Sequence, residues 1–398
     1  LLASTYLGGS ASEKISSMVA DANGDFYVAG STSSRDYPTT LGAFAADYIG
    51  GELNPANGYI TKFNADLSQV LHSTYIDAFE IVGMAIAADG NIIVAGMTFS
   101  KTLPATTAAT TPYDNTFNGS SDGFIFKLSA DLSMVLAATF IGGNAGEDLR
   151  TFHLDTSGNI VITGSTFSSD YPVTSKAYNK TFGSGQIFVS VISGDFTQLL
   201  ASTFLGLSYT PSITSAQSDR FGNIFLLGTI YDNKLTATSG AYDQSFNDGS
   251  PEGIDAFIVK FDSGLTQLLA ATYLGGSAPE FSATLAIDTG GNVYASGTVR
   301  NSLNLNATEF PTMPGAYRES IPPENGFDIF IAKLRNDLTK LEASSFLGGT
   351  GAESISKIHL TAAGDVYILG NADYADFPVA ENAYNKYYVG GPGDAIIA

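Results

Sequence analysis

Residues 3–9, Ala-Ser-Thr-Tyr-Leu-Gly-Gly, decide the fold, because close copies of this stretch recur along the whole chain. The aromatic position of the motif returns every 64 to 73 residues. It is occupied by Tyr6, Tyr75, Phe140, Phe204, Tyr273 and Phe346. A regular period of this length indicates an array of similar units, each of them one supersecondary element, rather than a set of unrelated domains.

A second landmark has the same period. It is a tight turn followed by a hydrophobic run that ends in glycine, as in "ANGDFYVAG" (22–30) and "ADGNIIVAG" (88–96). The glycines are Gly30, Gly96, Gly164, Gly228, Gly297 and Gly370. Because two independent landmarks share one period, chance similarity is excluded and the chain contains six repeats.

Each repeat shows four strand signals. A short alternating run such as "SSMVA" (16–20) leads through the turn into the glycine-ended strand. After a long Ser/Thr/Pro-rich connection comes a third strand such as "DGFIFKL" (122–128), and a further turn returns the chain to the opening motif as a fourth strand. Four antiparallel strands per repeat, repeated six times, predict an all-β fold, a six-bladed β-propeller.

These motifs also resemble a known family. The elements "YLGG", "GN.YV.G.T.S.DYP.T", "GAY" and "D.FI.K" are similar to the SBBP-type β-propeller repeats of large secreted and surface-exposed bacterial and archaeal proteins. The resemblance covers essentially the whole chain, with its strongest copies in repeats one, three and five. It implies seven blades, but the sequence has six copies, so we expect six.

The prediction for domain organisation is one propeller over residues 1–398, as part of a longer polypeptide or assembly. The blades span approximately residues 10–76, 77–141, 142–205, 206–274, 275–347, and 348–398 together with 1–9. The final "GDAIIA" (393–398) matches only the start of a third strand, and residues 1–9 are a spare copy of a fourth. We therefore expect residues 1–6 to pair with Asp394–Ala398 and complete the last blade.

Composition excludes several classes of partner. The formal net charge is −21 and only 18 Lys and Arg residues are present, which disfavours nucleic acid and anionic membrane surfaces. No apolar run approaches the roughly 20 residues of a membrane-spanning helix. The chain has no cysteine, so neither a disulfide framework nor thiol chemistry is expected. An acidic chain does attract cations, which leaves calcium as a candidate.

Glutamates recur shortly after the opening motif and are the candidate ligand-binding residues. They are Glu13, Glu80, Glu147, Glu280 and Glu353, of which Glu80 is only close to register. One interpretation is a ring of carboxylates at the channel mouth that binds a polar ligand or Ca²⁺, with Glu13, Glu147, Glu280 and Glu353 as metal candidates. The other is that each glutamate caps backbone N–H groups of the Gly-Gly turn, which the repetition favours. Neither interpretation requires a cofactor.

Two further patterns lie in the long connections. Aromatic pairs four residues apart, such as Phe44 and Tyr48, predict a short helical turn whose rings either cover the blade core or stack on sugars. Because the pairs recur from repeat to repeat, the first interpretation is favoured, in which the rings cover the blade core. The triplets at Asn118, Asn179 and Asn306 are candidate N-glycosylation sites.

The function predicted from the sequence is a non-enzymatic extracellular module. It would be an adhesion or structural display domain of a secreted or cell-surface protein, with a protein or glycan at the cell surface as its partner. We find no pattern of catalytic residues. One alternative is a carbohydrate-binding or carbohydrate-active propeller, which asymmetric exposed aromatics on one sector would support. Another is a subunit of a filament or surface layer.

Overall fold

The computed structural model describes residues 2–49, 57–107, 110–183, 185–208, 212–246, 253–300, 310–321, 326–388, 390–391 and 393–398. Within these ranges the regular secondary structure is all strand. The strands are β1 Glu13–Ala20, β2 Phe26–Thr32, β3 Asn57–Phe63, β4 Val70–Ile76, β5 Glu80–Ile86, β6 Ile92–Thr98, β7 Asp122–Leu128, β8 Val135–Ile141, β9 Glu147–Leu154, β10 Ile160–Thr166, β11 Gln186–Ile192, β12 Leu199–Ser208, β13 Ser212–Ser218, β14 Ile224–Ile230, β15 Asp255–Phe261, β16 Leu268–Leu274, β17 Glu280–Ile287, β18 Val293–Arg300, β19 Phe327–Leu334, β20 Leu341–Leu347, β21 Glu353–Leu360, β22 Val366–Ala372 and β23 Asp394–Ile397.

The strands form blade sheets in chain order. Five sheets have four antiparallel strands, beginning with β1-β2-β3-β4, and the sixth is β21-β22-β23. The central strands are the most buried, and β11, β14 and β15 are buried along their whole length. Strands buried on both faces need apolar residues at successive positions, which is why these segments are rich in Val, Ile, Leu and Phe. The predicted fold class, an all-β protein with six propeller blades, is confirmed.

The chain divides into two compact units, which we call unit 1 (Leu1–Gly206) and unit 2 (Leu207–Ala398). In unit 1 the first strand of each blade packs on that of the next, β1 on β5 and β5 on β9. In unit 2, β13 packs on β17 and β17 on β21 in the same way. The hydrophobic clusters lie between successive sheets, for example around Ile60 and Ile92 of blades one and two. Burial between blades therefore supplies the core of each unit.

The recurring glycine that ends the second landmark has a steric reason. β1 bulges between Ile15 and Ser17, opposite Gly30 of β2. A Cβ on Gly30 would lie 1.8 Å from the backbone oxygen of Lys14. Only glycine allows the bulged strand to approach so closely, and the bulge recurs in the first strand of every blade.

The turn between the third and fourth strands holds an apolar residue in the left-handed region. Leu132 has a φ of 55° and Leu338 a φ of 56°, and both side chains are buried. Their carbonyl oxygens accept hydrogen bonds from the long connection of the preceding blade: Phe44 N donates to Leu132 O at 2.9 Å, and Tyr242 N to Leu338 O at 2.8 Å. Core burial and this inter-blade bond offset the cost of a positive φ.

This geometry predicts an unusual order of stabilities at Leu338. Leu338→Ala is expected to lower the free energy of unfolding by about 3 kcal/mol, through lost burial and a cavity. Leu338→Gly should be no less stable than the alanine variant, because glycine relieves the positive φ. Urea denaturation of both variants measures the difference. A glycine variant less stable than alanine by the usual amount, about 1 kcal/mol, would contradict the argument.

The long connections differ from the sequence expectation in one respect. The segment from Leu41 to Tyr48 contains turns and bends but no helix, so the predicted helical turn is wrong. Hydrogen bonds to the fourth strand hold the connection instead; Ala45 N donates to Thr74 Oγ1 at 2.9 Å. The second ring of the pair still covers the core, since Tyr48 contacts Tyr75 edge-on with centroids 5.7 Å apart.

The described N-terminal residues do not form the predicted closing strand. Residues 2–12 contain no strand, and the side chain of Tyr6 is fully exposed. The end of this segment is held by blade one, where Ser10 N donates to Asp36 Oδ1 at 2.9 Å and Ala11 N to Ser34 Oγ at 2.8 Å. Among the described residues β23 pairs only with β22, so pairing of residues 1–6 with Asp394–Ala398 is not confirmed.

Candidate functional site

The recurring glutamates lie at the start of the first strand of a blade, and Glu147 shows their role most clearly. Its side chain is 1% exposed. Oε1 accepts hydrogen bonds from Thr166 Oγ1 at 2.7 Å and Ser168 Oγ at 2.6 Å, and Oε2 accepts one from Gly143 N at 3.1 Å. The carboxylate therefore joins the Gly-Gly turn to the end of the second strand.

The other in-register glutamates repeat parts of this arrangement. Glu13 Oε1 accepts hydrogen bonds from Thr32 Oγ1 and Ser34 Oγ at 2.7 and 2.5 Å. In unit 2, Gly276 N donates to Glu280 Oε1 at 3.0 Å, and Gly349 N donates to Glu353 Oε2 at 3.1 Å. The bonds of Glu280 and Glu353 to turn N–H groups have the geometry of the capping interpretation, whereas the bonds of Glu13 come from hydroxyl groups at the end of the second strand. The ligand-binding role of the same glutamates stays a prediction.

Glu80 does not occupy the position of the other glutamates. Ile81 is the residue opposite Gly96, as Leu149 is opposite Gly164, so Glu80 stands one position later than Glu147 in its blade. A shift of one residue turns a strand side chain to the other face. Glu80 is accordingly partly exposed, and its Oε1 lies 3.2 Å from Lys14 Nζ of the neighbouring first strand.

Each buried glutamate of blades three, five and six faces an aspartate of the preceding blade. The pairs are Asp122 with Glu147, Asp255 with Glu280, and Asp328 with Glu353. A glycine separates each pair: a Cβ on Gly142 would lie 2.6 Å from Glu147 Oε2 and 2.7 Å from Asp122 Oδ1. These aspartates are the first or second residue of the third strand, and the sequence analysis missed them as partners.

Two carboxyl groups brought together inside the protein resist ionisation. Burial, with the charge of Glu147, raises the pKa of Asp122 to about 6. Burial, together with Asp328, Asp373 and Asp376, raises the pKa of Glu353 to about 7. Burial also raises the pKa of Glu280 well above its usual range. In the part of the chain that the structure describes, no group of three or more His, Cys, Asp or Glu side chains is arranged to hold a metal ion.

A different group of charges breaks the repeat in unit 1. The position after the in-register glutamate holds Lys14 in β1, Glu80 in β5 and Asp148 in β9. Asp148 also pairs with Arg150. Burial raises the pKa of Asp148, and the charge of nearby Glu80 adds to the effect. The corresponding residues of unit 2 are uncharged, namely Ser212, Phe281 and Ser354.

Exposed aromatic rings lie at the same edge of the sheets. Phe99 and Phe167 directly follow β6 and β10, and they are 45% and 50% exposed. Phe79 takes the position of the buried glutamate in blade two, is 36% exposed, and contacts Phe99 with centroids 5.1 Å apart. Blade one has Ser33 where these blades have Phe99 and Phe167. In unit 2, Tyr231 directly follows β14 and is 45% exposed, so an aromatic ring occupies this position in blades two, three and four, whereas Phe79 at the glutamate position is found in blade two alone.

We call this group the unit-1 patch. It consists of Lys14, Phe79, Glu80, Phe99, Asp148, Arg150 and Phe167. Strand register places its members at the same edge of the three unit-1 sheets that carry them, because the start of a first strand lies opposite the end of a second strand, as Glu80 lies opposite Met97. Aromatic surface beside a few polar groups is typical of a binding site. The signal in the sequence was the departure of "IDAFE" (76–80) from the Gly-Gly motif.

The candidate glycosylation sites differ in accessibility. Asn118 is exposed, and its side-chain Nδ2 lies 3.2 Å from Thr116 Oγ1. Asn179 is partly buried, and its Oδ1 accepts a hydrogen bond from Thr181 N at 2.9 Å. Asn306 lies outside the described residues. Modification of any of them stays a prediction.

Comparison with known proteins adds little beyond the fold. No family model and no curated protein matches the chain, so the SBBP resemblance rests on its motifs alone. A Dyadobacter fermentans protein of unknown function is similar in structure (TM-score 0.47, 12% identity, 98% of this chain and 95% of that one). A luciferin-regenerating enzyme (0.39, 9%, 96% and 89%) and the Dos1 propeller (0.42, 7%, 92% and 90%) are also similar.

Proposed function

We propose that this chain is a non-enzymatic binding module of a secreted or cell-surface protein, acting in adhesion or display. The observation that carries the proposal is the unit-1 patch, where three exposed aromatic rings lie at the same sheet edge as four charged side chains, and where Phe79 and the charged positions depart from the repeat. Repeated features such as the buried glutamates serve every blade alike. A surface that differs from the repeat is where recognition is expected.

Charge and framework support this proposal. A net charge of −21 disfavours nucleic acid as a partner, and we propose a protein or glycan at the cell surface instead. The patch residues lie at the ends of strands. Backbone pairing between the strands and hydrogen-bonded turns hold these ends, so rigid elements position the side chains of the patch. The described residues contain no helix that could cross a membrane.

Binding of the fluorescently labelled chain to intact bacterial cells tests the proposal. We expect saturable binding that Phe99→Ser weakens at least about tenfold, because serine occupies the equivalent position of blade one and removes only the ring. The matched control is Phe221→Ser, which removes an exposed ring from the β13–β14 turn, at the opposite edge of its blade. Equal binding by the Phe99→Ser variant and the unmodified chain would refute the proposal.

Calcium binding at the recurring glutamates is a separate proposal. Each of the glutamates Glu13, Glu147, Glu280 and Glu353 would supply a carboxylate within its own unit, and binding to the folded state alone would raise the melting temperature. Thermal melts in calcium and in chelator test it. A rise of several degrees in calcium supports the proposal, and an unchanged midpoint removes it.

A further inference from the structure

The unit-1 patch has a composition that restricts its ligand. Its charges are two acidic and two basic side chains, and they occur as neighbours: Lys14 with Glu80, and Arg150 with Asp148. The local net charge is therefore zero. The surrounding chain is strongly acidic. An anionic ligand would be repelled by the chain as a whole, and a cationic ligand would find both carboxylates already paired.

The aromatic rings add a second restriction. Phe79 and Phe99 are inclined at 59° to each other, and both rings keep part of their surface exposed. Phe167 presents a further exposed ring in the next blade. Exposed ring faces bind apolar C–H surface, and the nearby carboxylates, ammonium and guanidinium groups both accept and donate hydrogen bonds. The matching ligand has apolar faces, many hydroxyl groups and no net charge.

From this combination we propose that the unit-1 patch binds a neutral oligosaccharide, an inference that rests on the proposed function and names its ligand class. Pyranose rings offer C–H faces to Phe79, Phe99 and Phe167. Their hydroxyl groups can donate to Glu80 and Asp148 and accept from Lys14 and Arg150. The corresponding strand positions of unit 2 hold Ser212, Phe281 and Ser354, so we place the site in unit 1 alone.

An apolar protein surface fits the patch less well. The cores of protein–protein interfaces are depleted in charged residues, and burying two ion pairs beneath a partner would cost desolvation that their attraction does not reliably recover. A hydroxyl-rich ligand instead leaves these groups hydrogen-bonded. A protein partner is therefore an outcome that the experiment has to distinguish from a glycan.

The test uses the full labelled chain on an array of defined neutral and acidic oligosaccharides, followed by calorimetric titration with the neutral hexasaccharides that bind. We expect binding to neutral glycans, a loss of at least about tenfold in affinity in Phe99→Ser, and a smaller loss in Glu80→Gln. Phe221→Ser should bind as the unmodified chain does. Binding confined to acidic glycans, or neutral binding that Phe99→Ser leaves unchanged, overturns the inference.

Cell-binding data separate this inference from the proposed function. If Phe99→Ser abolishes cell binding, no array glycan binds, and protease treatment of the cells removes the binding, then the partner is a protein. The glycan inference then fails while the binding module stands. If Phe99→Ser leaves cell binding unchanged, both fail.

Discussion

Replacing Glu147 by alanine is expected to lower the free energy of unfolding by about 3 kcal/mol. The side chain is buried and accepts three hydrogen bonds, from Thr166, Ser168 and Gly143. Alanine leaves these donors without their acceptor in a site closed to bulk water, and it opens a cavity. Relief of the repulsion with Asp122 offsets part of the loss. Urea denaturation monitored by circular dichroism measures the change.

Two further variants identify the cause. Glu147→Gln keeps the volume and one carbonyl oxygen, and its amide can donate to Asp122, so we expect less than half of the alanine effect. Glu80→Ala removes only a partly exposed ion pair with Lys14 and should cost less than about 1 kcal/mol. If Glu147→Ala were as mild as Glu80→Ala, the capping role of the buried glutamate would be wrong.

The fold was predictable because its signals repeat. The run ending at Gly30 and the third-strand pattern at Asp122–Leu128 recur in equivalent form, and the structure has strands at both. The backbone conformation of the long connections was harder to predict. The spacing of Phe44 and Tyr48 fits a helical turn, but hydrogen bonds to the fourth strand hold these residues in irregular backbone. A local period cannot reveal such a tertiary bond.

The site was harder to predict, for two physical reasons. The partner of Glu147 is Asp122, from a different blade, and a pair between blades depends on how sheets pack, which a repeat pattern does not contain. Glu80 was placed with the other glutamates although one residue of register turns it to another face. The departure at Phe79, by contrast, was visible in the sequence and marks the unit-1 patch.

The contribution of Glu353 to the stability of the protein is expected to fall between pH 4.5 and pH 8. Its pKa rises from 4.5 to about 7 in the folded protein, because the side chain is buried beside Asp328, Asp373 and Asp376. A basic group, Arg318, also lies against these carboxyls, with its Nη1 3.4 Å from Asp328 Oδ1. The folded state therefore holds a proton that the unfolded state releases.

The sign of the pH dependence follows from this difference. Below pH 4.5 Glu353 is protonated in both states and its contribution is fully present; as the pH rises through 7 the folded state must ionise it and the contribution is lost. The rise of the pKa from 4.5 to about 7 corresponds to a loss of at most about 3 kcal/mol in the free energy of unfolding. Asp122, with its pKa raised to about 6, changes stability in the same direction. Asp131 and Asp337, with pKa values lowered to about 2, weaken the protein only in stronger acid.

Substitution of Glu353 by glutamine separates the contribution of this carboxyl to the pH dependence of stability from that of the other groups. Urea denaturation of the unmodified chain and the Glu353→Gln variant from pH 4.5 to 8.5 gives two curves, whose difference should move in favour of the variant by about 1 to 3 kcal/mol as the pH rises. Glu381→Gln, an exposed glutamate of the same blade, is the matched control and should run parallel to the unmodified chain. Parallel curves for Glu353→Gln as well would show that this carboxyl ionises equally in both states, and the paired arrangement with Asp328 would then not hold its proton.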